Sequence, residues 1–332
     1  MQWVDRIGRR LKLRDLHILM MVVRSGTMAR AAQRLAVSQP VVSKTISDLE
    51  HTLGVPLLDR SRNGVEPTLY GQALLKHGIA VFDELRQSVQ EIEFLNDPTV
   101  GELRIGCTDA TAAGLLPIII SRLHRRYPRL AFHAVQASGG AALYRELRER
   151  NVELILGRTT MPFAETDLSA ELLMDEPLVV VAGRQSQWLR RRKIELADLI
   201  NEPWILPAPD TAANAIVGET FQACGLDLPR AAVRCTSLQM HNALLGSGAY
   251  IAMWPASVVR FGAGNLSVKV LPVTLPAAPR PVGIVTLKRR TISPLARLFI
   301  DHARKVAKPL ARGMAQGQDK TTATPRTRSR VR

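Results

Sequence analysis

From residue 14 onward the apolar positions recur with the period of a helix. In "RDLHILMMVVRSG" Leu16, Leu19, Met20 and Val23 share one face, and Gly26 closes the segment as a helix stop. Thr27 is placed to cap a second helix over roughly residues 28–35, where Ala31 and Ala32 leave a face low enough for another helix to approach closely. Ser38 and Pro40 open a third helix. The serine can accept from an unpaired amide of the first turn, where the missing N–H of the proline costs nothing. Val42, Ile46, Leu49 and Leu53 form the inward stripe of this helix, which leaves Gln39, Ser43, Lys44 and Ser47 outward. Those polar groups suit base edges, and the lysine suits a phosphate or a guanine. A tight elbow followed by a helix polar at its start is what a helix-turn-helix needs to present its second helix to a major groove.

The pattern then changes. In "GVPLLDRSRNGVEPT" the pair Asn63-Gly64 suits a turn of positive φ between two short strands, a wing that would carry Arg60 and Arg62 toward phosphates or a narrow minor groove. From Thr68, a candidate N-cap, residues 69–95 lack proline and place Leu75, Phe82 and Val89 seven apart, with Leu85 and Ile92 three after the last two. This reads as a coiled-coil seam, although Gly78 interrupts it and a helix packed on its own core would show the same stripe. Beyond "NDPTVG" strands alternate with helices through "ELRIG", "LAFHAV", "VELILG", "PLVVVAG" and "PRPVGIVTL", which predicts βαβ units and a largely parallel sheet.

Composition adds a partner class. The 332-residue chain is long enough for two or three domains, and its net charge of +16 suits a polyanion. Both ends are basic: residues 1–66 hold 11 Lys/Arg against 6 Asp/Glu, and residues 309–332 hold 6 against Asp319 alone. The terminal "GQDKTTATPRTRSRVR" is poor in apolar residues and reads as disordered. No run of about 18 apolar residues marks a membrane span and no secretory signal opens the chain, so a cytoplasmic location is expected. Cys107, Cys224 and Cys235 are odd in number and scattered, which fits reduced thiols. No metal-ligand spacing, G-x-S-x-G elbow, H-E-x-x-H, P-loop or dinucleotide fingerprint is present, so neither an enzyme nor a cofactor is expected.

The stretches "LRDLHILMMVVRSGTMARAAQRLAVSQPVVSKTISDLEHTLGVPLLDRS" and "PTLYGQALL", within residues 13–75, resemble the LysR-type transcriptional regulators in residue identity and spacing. The resemblance implies an α+β multidomain protein: a winged helix-turn-helix (1–67), a dimerising linker helix (68–97), and a two-lobed effector domain (98–308) like a periplasmic binding protein. Its first lobe would span about 101–175 and 276–308 and its second about 176–275, with a basic disordered tail over 309–332. The family's DNA-contacting positions fall at Ser38, Gln39, Pro40, Ser43 and Lys44, where many relatives have arginine in place of the lysine. Implied partners are double-stranded promoter DNA with an interrupted inverted repeat, a small-molecule effector, RNA polymerase, and further copies of the chain as a homodimer or dimer of dimers.

Candidate effector residues lie where strands end and helices begin, since unpaired amides collect there. Thr108 and Asp109 match the family's ligand-contacting loop. Ser138 follows the second strand, Arg158 and Thr159 follow "ILG", and Thr236 and Ser237 precede a helix of the other lobe. Each Ser or Thr is equally readable as a helix cap, and Arg158 as a surface ion-pair partner. A constitutive or architectural DNA-binding protein is the alternative function, weakened by some 200 residues of α/β sequence that DNA coating does not need.

Overall fold

The computed structural model describes residues 10–61, 64–137, 139–159, 163–262, 266–275 and 280–319. The chain divides into two compact units, Met1–Val89 and Gln90–Arg332. In the first, α1 (Leu13–Ser25), α2 (Met28–Arg34) and α3 (Gln39–Leu53) precede a hairpin of β1 (Leu58–Ser61) and β2 (Gly64–Pro67) and the long α4 (Leu69–Asn96), whose residues from Gln90 on count with the second unit. Gly26 ends α1 in the left-handed region, at φ 71°, and the Thr27 hydroxyl accepts from the Arg30 amide at 3.2 Å to start α2. Ala31 and Ala32 are buried against Ile18, Leu19, Val22, Val42, Ile46 and Leu49, so the small side chains do allow the close elbow.

Four expectations need correction here. Ser38 is the N-cap residue of α3, but its side chain caps nothing. Pro40 takes the position of one usable donor, and the next amide, of Val41, bonds the Ser38 carbonyl instead, at 3.1 Å. Leu53, at the last turn of α3, is 40% exposed instead of inward. In the wing, Ser61 pairs with Gly64, so Gly64 belongs to β2; Asn63 lies outside the described residues. Arg62 itself lies outside the described residues. Phe82 leaves the seam: its ring sits on His17 of α1, with centroids 5.7 Å apart.

The root of α4 is tied to the base of the wing. The Thr68 hydroxyl donates to the Pro56 carbonyl at 2.7 Å and accepts from the Gly71 amide at 3.1 Å, while the Thr68 amide donates to the Leu57 carbonyl at 3.0 Å. Gly71 is required for this approach, since a Cβ there would lie 2.0 Å from the Leu57 carbonyl oxygen. Further along, the usual burial is inverted. Asp83 and Gln87 are each only 4% exposed, whereas Val81, Leu85, Val89, Ile92 and Leu95 form a helical stripe open to solvent.

The second unit contains two five-stranded sheets, each mixed and not largely parallel. In the first, β4 (Arg129–Gln136), β3 (Val100–Cys107) and β5 (Leu154–Arg158) run parallel, and β12 (Arg280–Leu287) then pairs antiparallel with β5 and with β6 (Leu168–Glu176). In the second, β11 (Val268–Val270) and β7 (Leu178–Gly183) are antiparallel, as are β7 and β10 (Ile251–Pro255). There β10, β8 (Trp204–Leu206) and β9 (Ala231–Arg234) run parallel. Apolar runs mark a buried strand without showing its direction, so the parallel share is smaller than the pattern predicts.

The chain crosses between sheets at Pro177 and returns after β11. Around the first sheet lie α5 (Asp109–Ala113), α6 (Leu115–Arg126), α7 (Gly140–Arg148) and α11 (Pro294–Asp319), over a core of Leu103, Ile105, Leu115, Ile119, Leu123 and Phe299. The second carries α8 (Ala212–Ala223), α9 (Leu238–Leu245) and α10 (Ala256–Gly262), with the Trp204 and Phe221 rings edge to face at 5.2 Å in its core. Helix α11 extends to Asp319, so residues 309–319 of the expected disordered tail are helical, and residues 320–332 lie outside the described residues. All three cysteines are free. Among the described residues no helix is long and apolar enough to cross a membrane.

Candidate nucleic-acid interface and effector cleft

Helix α3 turns Val42, Ile46 and Leu49 into the core and leaves Gln39, Pro40, Lys44 and Ser47 exposed, with Ser38 exposed just before them and Ser43 half-buried. The start of the helix is therefore a polar ridge carrying one cation. Its position is held from within. The Glu50 carboxylate accepts the Leu57 and Leu58 amides at 2.8 and 3.2 Å, fixing the wing to α3, and the Val65 amide donates to the Gly26 carbonyl at 2.9 Å, fixing it to the α1–α2 turn. Arg60 projects from the wing, about half exposed and 3.8 Å from Glu50, a separation that leaves its guanidinium free to turn toward a phosphate.

In the second unit the ends of β3 and β5 meet. Thr108 is the N-cap of α5 in a reciprocal box with Thr111. Its hydroxyl accepts from the Thr111 amide at 3.3 Å, and the Thr111 hydroxyl accepts from the Thr108 amide at 3.1 Å. The Thr111 hydroxyl in turn donates to the Leu156 carbonyl at 2.8 Å, tying α5 to β5. Thr108 is thus occupied by the backbone. Thr159 is too: it is buried, with its hydroxyl 3.4 Å and its amide 2.9 Å from the Pro281 carbonyl of β12. Arg158 ends β5 half-buried, in register with Val282. Ser138 lies outside the described residues.

Asp109 does something the sequence did not show. One carboxylate oxygen accepts from the Gln136 side-chain amide at the end of β4, at 2.6 Å, and the other accepts from the Leu238 backbone amide at 2.8 Å. Leu238 is the first residue of α9, on the second sheet, so this bond joins the lobes. Ser237 caps α9 by accepting from the Met240 amide at 3.3 Å, and Thr236 and Ser237 are exposed beside it. Of the expected residues, then, Thr108, Asp109 and Ser237 gather at one junction, with Arg158 one residue beyond Gly157, where a Cβ would meet the Thr108 methyl at 3.7 Å.

Three residues missed from sequence support the junction. His241 is buried in α9, its Nδ1 accepting from the Trp254 indole at 3.1 Å and its Nε2 therefore donating to the Cys235 carbonyl at 2.9 Å. Burial holds its pKa below the usual histidine value, against smaller opposing effects of that carbonyl and of Asp109. Cys107, at the end of β3, has its thiol pushed up to about 11 by burial, with Asp109 adding to the shift, and is unreactive at neutral pH. Glu176, buried where the chain changes sheets, accepts the Ser257 amide of α10 at 3.0 Å, a second bond between lobes. No local motif announces a partner over 80 residues away.

A winged helix-turn-helix followed by a long helix and a two-lobed α/β unit is the architecture of a DNA-binding regulator with a sensor domain. The family described as bacterial regulatory helix-turn-helix protein, lysR family, matches residues 13–72, and the LysR substrate binding domain matches residues 96–308. The chain belongs to the LysR family. It is 29% identical over 301 residues to the uncharacterized HTH-type transcriptional regulator YdcI of Escherichia coli, covering 90% of this chain and 96% of that one. It is 27% identical over 314 residues to the regulator PcaQ of Agrobacterium fabrum, covering 94% and 100%. Among solved structures it is similar to a full-length OxyR from Pseudomonas aeruginosa (TM-score 0.66, 23% identity, 90% of this chain and 97% of that one). Full-length CbnR complexed with its target DNA is comparable (TM-score 0.63, 23% identity, 90% and 100%). The protein is a LysR-type DNA-binding transcriptional regulator with an effector-binding domain.

Proposed function

We propose that the protein binds an interrupted inverted repeat in promoter DNA as a dimer or dimer of dimers, and that a small molecule entering between the lobes changes its DNA bending or its contact with RNA polymerase. Ser38, Gln39, Pro40, Ser43, Lys44 and Ser47 would face the major groove, with Arg60 and Arg62 on the wing beside the backbone. The cleft reading is carried by the bond from Asp109 to the Leu238 amide, which brings a strand end of one lobe to a helix start of the other. A ligand there would touch both lobes, and its differential contacts could shift their equilibrium. Asp109, Arg158, Thr236 and Ser237 are its proposed contacts; Thr108 and Thr159 would shape the wall.

The test has two stages. Binding-site selection with the full chain should return a two-fold repeat, and a thermal-shift screen against sugars, aromatic acids and amino acids should give a hit, since a ligand of the folded state raises apparent stability. Footprints on the selected site should then change with that hit. Tight DNA binding indifferent to every hit would point to a constitutive regulator instead.

A further inference from the structure

The lobe junction bears on the chemical class of the effector. A helix start attracts anions because its first amides lack partners inside the helix. In α9 that end is already engaged on two sides: Ser237 accepts the Met240 amide, and the Asp109 carboxylate, reaching from the other lobe, accepts the Leu238 amide at 2.8 Å. The Asp109 side chain is fixed by a second bond, from Gln136 at 2.6 Å, so leaving α9 would disrupt an arrangement held from both lobes. Nearby His241 is neutral, both ring nitrogens being bonded within the protein. It supplies no positive charge at the α9 end, so the one cation among the proposed contacts is Arg158, at the end of β5.

We infer that Asp109 is a specificity-determining residue which bars carboxylates from this end of the cleft and selects an uncharged or cationic ligand that donates hydrogen bonds, such as an alcohol, polyol or amine. The inference rests on the cleft being the effector site. A carboxylate has two oxygens with about four acceptor positions, and Leu238 and Gln136 use one on each oxygen. The remaining positions suit hydroxyl or ammonium donors. A ligand carboxylate would meet a like charge and find the Leu238 amide taken, the kind of repulsive element by which sites reject a competitor.

The experiment compares the full-length wild type with Asp109→Ser and the near-isosteric Asp109→Asn, using benzoate and benzyl alcohol as ligands of the same body with and without the charge. Calorimetry and thermal shift should show benzoate binding to the serine variant at least about tenfold more tightly than to wild type, since like-charge juxtaposition is costly. The asparagine variant should fall between them, and benzyl alcohol should show no such gain. Equal benzoate affinity in wild type and Asp109→Ser overturns the inference, as does a natural effector that is a carboxylate and binds less well once Asp109 is replaced. If benzoate gains affinity but no small molecule ever alters the DNA footprint, the inference about Asp109 stands and the proposed switching falls.

Discussion

Val89→Glu tests what the exposed stripe of α4 is for. Val89 is 55% exposed, in line with Leu85, Ile92 and Leu95, and belongs to none of the buried clusters of the first unit. Full burial of a valine is worth about 1.5–3 kcal/mol, so the half still exposed represents about 1 kcal/mol per chain if a second copy covers it. A two-fold interface counts the residue twice, giving about 2 kcal/mol. Placing a glutamate in a desolvated seam adds a cost at least as large. A total near 4 kcal/mol corresponds to a dimer dissociation constant raised about a thousandfold. Sedimentation velocity of full-length protein at micromolar concentration should show dimer for wild type and monomer for the variant, with the melting of the helix-turn-helix unit unchanged. An intact dimer, or a melting point that falls, would refute the assignment of this stripe to self-association.

Phe82→Glu should behave in the opposite way, destabilising the helix-turn-helix unit by several kcal/mol because the ring packs on His17; a cooperative melt at the wild-type temperature would contradict that placement. Gln39→Ala should cost roughly 1–3 kcal/mol at a selected operator and little on random DNA, as binding isotherms on both would show. Thr108→Val removes the cap of α5 and should cost about 1 kcal/mol, seen as a loss of about 2–4 °C in the melting of the effector domain. Because burial keeps the pKa of His241 below its unfolded value of about 6.5, its contribution to stability is complete above that pH and is lost as the pH falls through the folded value. Melting temperatures from pH 7.5 to 5 should therefore decline more steeply for wild type than for His241→Gln.

The elbow of the reading head was legible because its constraints are local: Gly26, Thr27 and the paired alanines act on neighbours within one or two turns. The stripe of α4 was legible as a period but not as a partner. Periodicity says that Phe82 and Val89 are apolar on related faces, and only the packing says that one meets His17 while the other meets water. Thr108 and Thr111 stand three apart with the spacing of a capping box, so the helix-cap alternative for Thr108 was open in the sequence. Asp109 was a candidate for its place at the end of a strand, in the loop that matches the family's ligand-contacting one. Its partner, Leu238, lies 129 residues away and contributes a backbone amide, which no side-chain identity can advertise.

The glycine at the root of α4 has a mechanical consequence. With Gly71 pressed on the Leu57 carbonyl and Thr68 bonded to both Pro56 and Leu57, the helix and the wing share one joint with no slack. A helix of 28 residues is roughly 40 Å long at 1.5 Å per residue, so a swing of about 10° at that joint displaces its far end by about 7 Å. The relation also runs in reverse: a displacement of several ångströms at the distal end is geared down to a small turn of the wing and of α3. A second copy docked along the stripe would thereby set the pitch at which two reading heads meet the double helix, and slight changes in that angle would be felt as a change of half-site spacing.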